Sequence, residues 1–177
     1  MKVILVFVST LDGKITKWGD PHVRDWSSLQ DQQYYKQIWK DARLIVMGSS
    51  TFIAEKFPPS PNHLLLVMTR HKSKYKQYQV KGQIEFTDKT PKELVAQFQK
   101  KKFETMIVTG GPHISTSFFK AQLITEIWLT IEPKIFGTGG NFVIDQKLDV
   151  DLQLISCEKV NARGTLITKY KVKNKKR

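Results

Sequence analysis

Six short apolar runs, rich in β-branched residues, constrain this chain more than any other feature: residues 3–8, 43–47, 64–69, 83–87, 105–109 and 127–131. Each is bounded by turn-forming residues and has the length of a strand buried on both faces. Helix-like stretches lie between them. Residues 27–42 set Tyr34, Tyr35, Ile38, Trp39 and Ala42 along a helical face. Residues 91–101 follow Thr90, an N-cap, with Pro91 at the first helical position. Residues 112–121 follow the Gly110-Gly111 pair in the same way. Residues 151–160 and 165–172 read as two strands joined by the turn Asn161-Ala162-Arg163-Gly164. Alternating strands and helices that end in a hairpin define an α/β fold. The expected architecture is a single domain over residues 1–172. It has a central, mostly parallel eight-stranded sheet, an antiparallel C-terminal hairpin and flanking helices. Residues 173–177 are expected to form a basic tail.

Composition narrows the function. The chain of 177 residues carries 29 Lys+Arg against 16 Asp+Glu, a formal charge of +13. The cations are dispersed except at Lys100-Lys101-Lys102 and over residues 169–177, where six of nine residues are basic. No zinc finger, aromatic ribonucleoprotein motif or basic heptad helix accompanies them. Nucleic acid is therefore the remote expectation, and a phosphate- or carboxylate-bearing small molecule the nearer one. A single cysteine, Cys157, excludes an internal disulfide and a Cys-rich zinc site. It reads as a small core residue of the hairpin. His22, His63, His71 and His113 lack metal-ligand spacing, so no metal is expected. No run approaches the roughly eighteen apolar residues of a membrane span. The N-terminus reads as a first strand rather than a leader. The expected compartment is the cytoplasm, and the expected state a monomer or homodimer.

Two strand ends carry glycine just before a helix: Met47-Gly48-Ser49-Ser50-Thr51 and Thr109-Gly110-Gly111-Pro112-His113. Glycine there lets a ligand approach the backbone, and the helix start offers free N–H groups to a phosphate. Such turns also use glycine and serine for purely structural reasons. A third strand ends in Thr69-Arg70, which can clamp another phosphate. Together the three ends suggest a dinucleotide with an extra phosphate, such as NADPH.

Asp31 lies in register with Tyr35, Ile38 and Ala42 on the inward helical face. Burial would raise its pKa and make it a proton reservoir near neutral pH. If Ser28 is the N-cap, Asp31 is also at N3, where it would only favour the helix dipole. Trp26, just before this helix, reads as a staple against the core or as the lid of a pocket.

These segments together resemble the dihydrofolate reductase superfamily, which includes the reductase domain of riboflavin biosynthesis. Leu11-Asp12-Gly13-Lys14-Ile15 is similar to its turn after the first strand. Trp26, Asp31 and Tyr35 match the tryptophan, the acid and the following aromatic. Ile45 to Phe52 resembles the "VMGRKTW" segment, with Ser49 in place of arginine. Pro61 to Arg70 resembles the "LPNRxNIVxTR" segment, and Gly110-Gly111 with Ile114 and Phe118 the pyrophosphate helix. Trp128-Leu129-Thr130-Ile131 resembles the strand whose threonine supports the acid. Glu132 to Gly140 instead resembles the "PxxxGxG" loop of the riboflavin-type reductases. The resemblance spans residues 2–172.

The resemblance implies an NADPH-dependent reductase. It implies that Gly48, Ser49, Thr51, Thr69 and Arg70 hold the adenosine side with its 2′-phosphate. Gly110, Gly111, His113 and Ile114 would hold the pyrophosphate, with His113 equally readable as an exposed helix residue. Val8 and Ile15 would flank the nicotinamide. Asp31 and Thr130 are the implied catalytic residues, and Val6, Trp26 and Tyr35 the implied substrate pocket. The leading expectation is reduction of a pterin, 7,8-dihydrofolate to tetrahydrofolate. The alternative is a stand-alone reductase of a ribosylaminopyrimidinone 5′-phosphate, with Lys14, Lys17 and Arg24 available for the phosphate. A non-enzymatic nucleic-acid-binding protein on the same scaffold is the remote alternative.

Overall fold

The apolar runs form strands and the helical stretches form helices, in the expected order. The computed structural model describes residues 1–55, 57–144 and 147–173. Six strands run parallel: β1 (Lys2–Thr10), β2 (Leu44–Gly48), β3 (Leu64–Met68), β4 (Ile84–Thr87), β5 (Thr105–Val108) and β6 (Glu126–Glu132). β8 (Leu166–Lys173) lies antiparallel between β6 and β7 (Asp151–Lys159). The sheet order is β4-β3-β2-β5-β1-β6-β8-β7. The helices are α1 (Leu29–Asp41), α2 (Ser49–Glu55), α3 (Pro91–Lys100) and α4 (Pro112–Lys120).

The inner strands read as continuous apolar runs because both faces of the sheet are covered. Val3 and Leu5 of β1 join one core, with Leu94, Phe98 and Phe118 from α3 and α4. Ile4 and Val6 join the other, with Ile38 of α1 and Phe52 of α2. Helix starts follow local chemistry. Ser28 caps α1, its hydroxyl accepting the Asp31 N–H at 3.3 Å. Thr90 and Glu93 form a reciprocal capping box on α3. α4 starts at Gly111 with no side-chain cap.

The topology opens one crevice. β1 leaves through α1 on one face toward β2, and β5 leaves through α4 on the other face toward β6. These crossovers diverge above the carboxyl ends of β1 and β5, where open α/β sheets bind ligands.

The two sheet edges differ. β4 is four residues long, with Tyr75 of a neighbouring 3₁₀ turn stacked 5.2 Å from Phe86. β7 is exposed at all nine positions, Cys157 included. The expectation of a core cysteine therefore fails, because the hairpin's first strand is the outermost strand of the sheet. The basic tail was expected over residues 173–177. Lys173 ends β8, and residues 174–177 lie outside the described residues. Among the described residues no helix is long and apolar enough to cross a membrane, and no cluster of His, Cys, Asp and Glu could hold a metal ion.

The burial pattern sets a contrast that urea denaturation can check. Phe98→Ala, at a 1% exposed position, is expected to cost about 3–5 kcal/mol. Leu152→Ala on β7, where 46% of the residue is exposed, should stay within about 0.5 kcal/mol of wild type.

Candidate active site

β1 ends in the turn Leu11 to Ile15, and a distant loop locks that turn in place. The Asp12 carboxylate accepts the Gly137 N–H at 2.8 Å, the Phe136 N–H at 3.3 Å and the Thr10 hydroxyl. These bonds, the one from Thr10 first, hold its pKa below the usual carboxylate value. Gly140 N–H donates to Thr16 Oγ1 at 2.7 Å, and Ile15 N–H donates to the Gly140 carbonyl at 2.8 Å. Gly139 has φ +145°, and a Cβ there would lie 2.2 Å from the Thr16 carbonyl oxygen. Only glycine fits that crossing. The loop at residues 136–140 thus fixes the turn that carries Ile15 into the crevice.

The crevice holds a cavity of about 400 Å³. Val6, Val8, Ile15, Asp31, Tyr35 and Thr130 line one part of it. Thr51, Gly110 and Gly111 line another. A larger cleft of about 800 Å³ lies at the opposite, amino ends of β1 and β5. It contains neither the buried carboxyl nor the glycine pair, so the smaller cavity is the candidate site.

Both expected placements of Asp31 occur. It occupies N3 behind the Ser28 cap, and it is 6% exposed. Burial pushes its carboxyl up to about 6. The hydroxyls of Thr130 and Ser27 face it and pull the other way, while the charge of Glu132 adds to the rise. Tyr35 hydrogen-bonds Thr109 at 2.6 Å across the crevice. Burial pushes the phenols of Tyr34 and Tyr35 up to about 12, so both stay neutral. Tyr34 Oη and Trp26 Nε1 are buried without a hydrogen-bond partner.

The phosphate-binding candidates separate. Gly110 has φ +96° and abuts Thr51, whose Cγ2 would lie 2.7 Å from an added Cβ. Gly111 lines the cavity, has φ +79° and precedes α4 with no side-chain cap; Pro112 has no N–H and the Ile114 N–H donates to the Gly111 carbonyl, which leaves the His113 N–H. Gly48 lies just below, where a Cβ would meet Ile114 Cγ1 at 3.0 Å. Ile114 therefore packs beneath this corner rather than lining the cavity. Ser49, Thr69, Arg70 and His113 also stand outside the cavity lining, and Arg70 and His113 are exposed. Ser49 follows Gly48 at the start of α2, and Thr69 and Arg70 follow β3, the strand beside β2. Trp26 is buried as a staple, edge-on to Phe136 at 5.2 Å, and does not line the cavity.

Of the cations expected to serve a phosphate, Arg24 lines the cavity and pairs with Glu55 at 3.5 Å. Lys36 and Tyr34, which escaped the sequence reading as site residues, line it as well. Lys14, another candidate for a phosphate, instead donates to Asn141 Oδ1 at 3.0 Å, and Lys17 lies over the Trp18 ring at 4.7 Å. Glu132, buried beside α1, also went unnoticed. Period-2 alternation from Thr130 was the signal that could have found it.

Comparison with known proteins gives the same fold. The profile of the RibD C-terminal domain family matches residues 1–166. A pyrimidine reductase-like protein of Corynebacterium diphtheriae superposes with TM-score 0.74 at 14% identity, covering 98% of this chain and 92% of that one. A diaminohydroxyphosphoribosylaminopyrimidine deaminase/5-amino-6-(5-phosphoribosylamino)uracil reductase of Thermotoga maritima gives TM-score 0.72 at 15% identity, covering 96% of this chain and 56% of that one. Dihydrofolate reductase of Enterococcus faecalis gives TM-score 0.66 at 19% identity, covering 97% and 94%.

Two outcomes test the site's construction. Gly110→Ala should destabilise the fold by about 1–3 kcal/mol, and Thr51→Ala should restore only the contact part of that loss. Burial raises the Asp31 pKa from the ordinary 3.8 to about 6 in the folded state. The folded state therefore binds the proton more tightly, and stability falls as pH rises between those values. Asp31→Asn is expected to be more stable than wild type by about 2–3 kcal/mol at pH 8. That advantage should vanish toward pH 4 in paired urea titrations.

Proposed function

The chain belongs to the RibD C-terminal domain family, and from that membership we propose that it is an NADPH-dependent reductase of a small nitrogen heterocycle. The favoured substrate is a ribosylaminopyrimidinone 5′-phosphate of the riboflavin-biosynthesis type. A pterin such as dihydrofolate, the leading expectation from sequence, becomes the second reading. The observation that carries the proposal is one cavity that joins a buried carboxyl, Asp31, to the uncapped helix start at Gly110-Gly111.

The residues fit the cofactor. The backbone at Gly110 passes too close to Thr51 for any side chain, and the His113 N–H at the start of α4 has no intrahelical acceptor. Gly110, Gly111 and Thr51 would meet the pyrophosphate, with the positive end of α4 behind it. Gly48 and Ile114 would support that corner, His113 in the first turn of α4 would join the pyrophosphate side, and Ser49, Thr69 and Arg70 would reach the adenosine side. Val8 and Ile15 would press on the nicotinamide. When bound, NADPH supplies the hydride.

The chain's own residues do the rest. Reduction of a C=N bond needs a proton at nitrogen, and Asp31 holds one at slightly acidic pH. Thr130 orients that carboxyl. Val6, Tyr35 and the buried Trp26 exclude water from it, which raises the value of each polar contact. Arg24 and Lys36 are the cavity cations that suit a substrate phosphate. The second reading is favoured by the pairing of Asp31 with Thr130, which suits the amino-oxo edge of a pterin.

NADPH consumption with each substrate tests this. Turnover is expected with the pyrimidinone phosphate and should fall as pH rises above about 6. Asp31→Asn should lower it by about 10²-fold or more while NADPH still binds. Arg24→Ala should raise KM for the phosphorylated substrate. Arg70→Ala should weaken NADPH more than NADH, and equal losses would remove its 2′-phosphate role. Binding of NADPH without oxidation by either substrate would leave the fold and discard both substrates.

A further inference from the structure

Glu132 ends β6 and is 2% exposed. Its Oε1 accepts the Ser28 N–H at 2.7 Å, and its Oε2 accepts the Thr165 hydroxyl at 2.8 Å. Asn161 Nδ2 donates to Thr165 Oγ1 at 2.9 Å and to Gln30 Oε1 at 3.1 Å. Both Glu132 oxygens thus meet donors, and its charge acts on Asp31. This charge sits at the start of α1, where the helix dipole favours an anion.

Asp31 lies three residues further along the same helix start. Two buried carboxyls so placed do not both ionise without cost. We propose that Glu132 is a positioning residue of this site: it pins the first turn of α1 to β6 and sets its charge beside Asp31. The role deepens the reading of Asp31 as the site's acid and rests on that reading. The other titratable groups acting on or near Asp31 are limited. Tyr34 and Tyr35 come from α1. The Arg24–Glu55 pair and Lys36 share the cavity. Among the described residues no cation forms an ion pair with Asp31.

The test is the titration of the Asp31 carboxyl carbon by NMR, without cofactor or substrate, so that it is independent of turnover. Glu132→Gln should lower the Asp31 midpoint by roughly half a unit or more. Glu132→Asp, which keeps the charge, should hold it near the wild-type value. An unmoved midpoint in a folded Glu132→Gln protein overturns the proposal. If that variant does not fold, the wild-type spectrum decides. As pH rises Glu132 must ionise before Asp31 does, and the reverse order overturns the proposal. A shifted midpoint in a protein that oxidises no NADPH would support the positioning role and count against the proposed reaction alone.

Discussion

Two side chains of β6 reach across to the start of α1, and the geometry of the crevice depends on that tie. Thr130 faces the Asp31 carboxyl, and Glu132 accepts the backbone N–H of Ser28, the residue that caps the helix. The helix start is thereby referenced to the strand that borders β1. Without it, the apolar packing of Ile38 would hold α1 against the sheet but leave its first turn free to shift. An acid on a shifting turn would lose both its burial and its hydroxyl neighbours. Burial is the largest cause of its raised pKa, so position and acidity are one property here.

The same economy appears at the other wall of the crevice. The turn after β1 is held by Asp12, whose carboxylate gathers amides from a loop more than a hundred residues away. The glycines of that loop permit the crossing over Thr16. Gly110 and Gly48 serve similarly, letting the ends of β5 and β2 approach Thr51 and Ile114. Glycine at this site is thus a matter of close approach between backbone segments, and the one open amide of α4, that of His113, follows from the lack of a side-chain cap.

Much of this was legible in the sequence. The six parallel strands were, because a strand buried on both faces has little room for polar residues. The ends moved by a residue or so, as at β2, which runs to Gly48. Asp31 was legible twice over, from helical register and from capping distance, and the structure satisfies both. Cys157 was misread because apolar content in a terminal hairpin does not reveal which strand is outermost. The distant lock on Asp12 could not be read at all: nothing local in Gly137 announces a partner at the far end of the chain. Glu132 was readable by alternation, yet a charged residue before a proline suggests a solvated strand end. Trp26 kept two readings until its contact with Phe136 decided for the staple. Arg24 was named from the sequence, whereas the place of Lys36 in the cavity depends on how a loop and a helix face meet, which composition does not encode.

The riboflavin-type and folate-type branches share this scaffold, and the family profile favours the first. What unites the two readings is a dinucleotide laid against the start of α4 with a buried acid opposite. The most direct measurement is an NADPH titration followed through backbone amide NMR shifts at physiological salt. The account predicts saturable shifts at Gly110, Gly111 and His113, with smaller ones at Val8 and Ile15. Shifts confined to the Lys-rich surface around Lys100 to Lys102, or none at all, would contradict it.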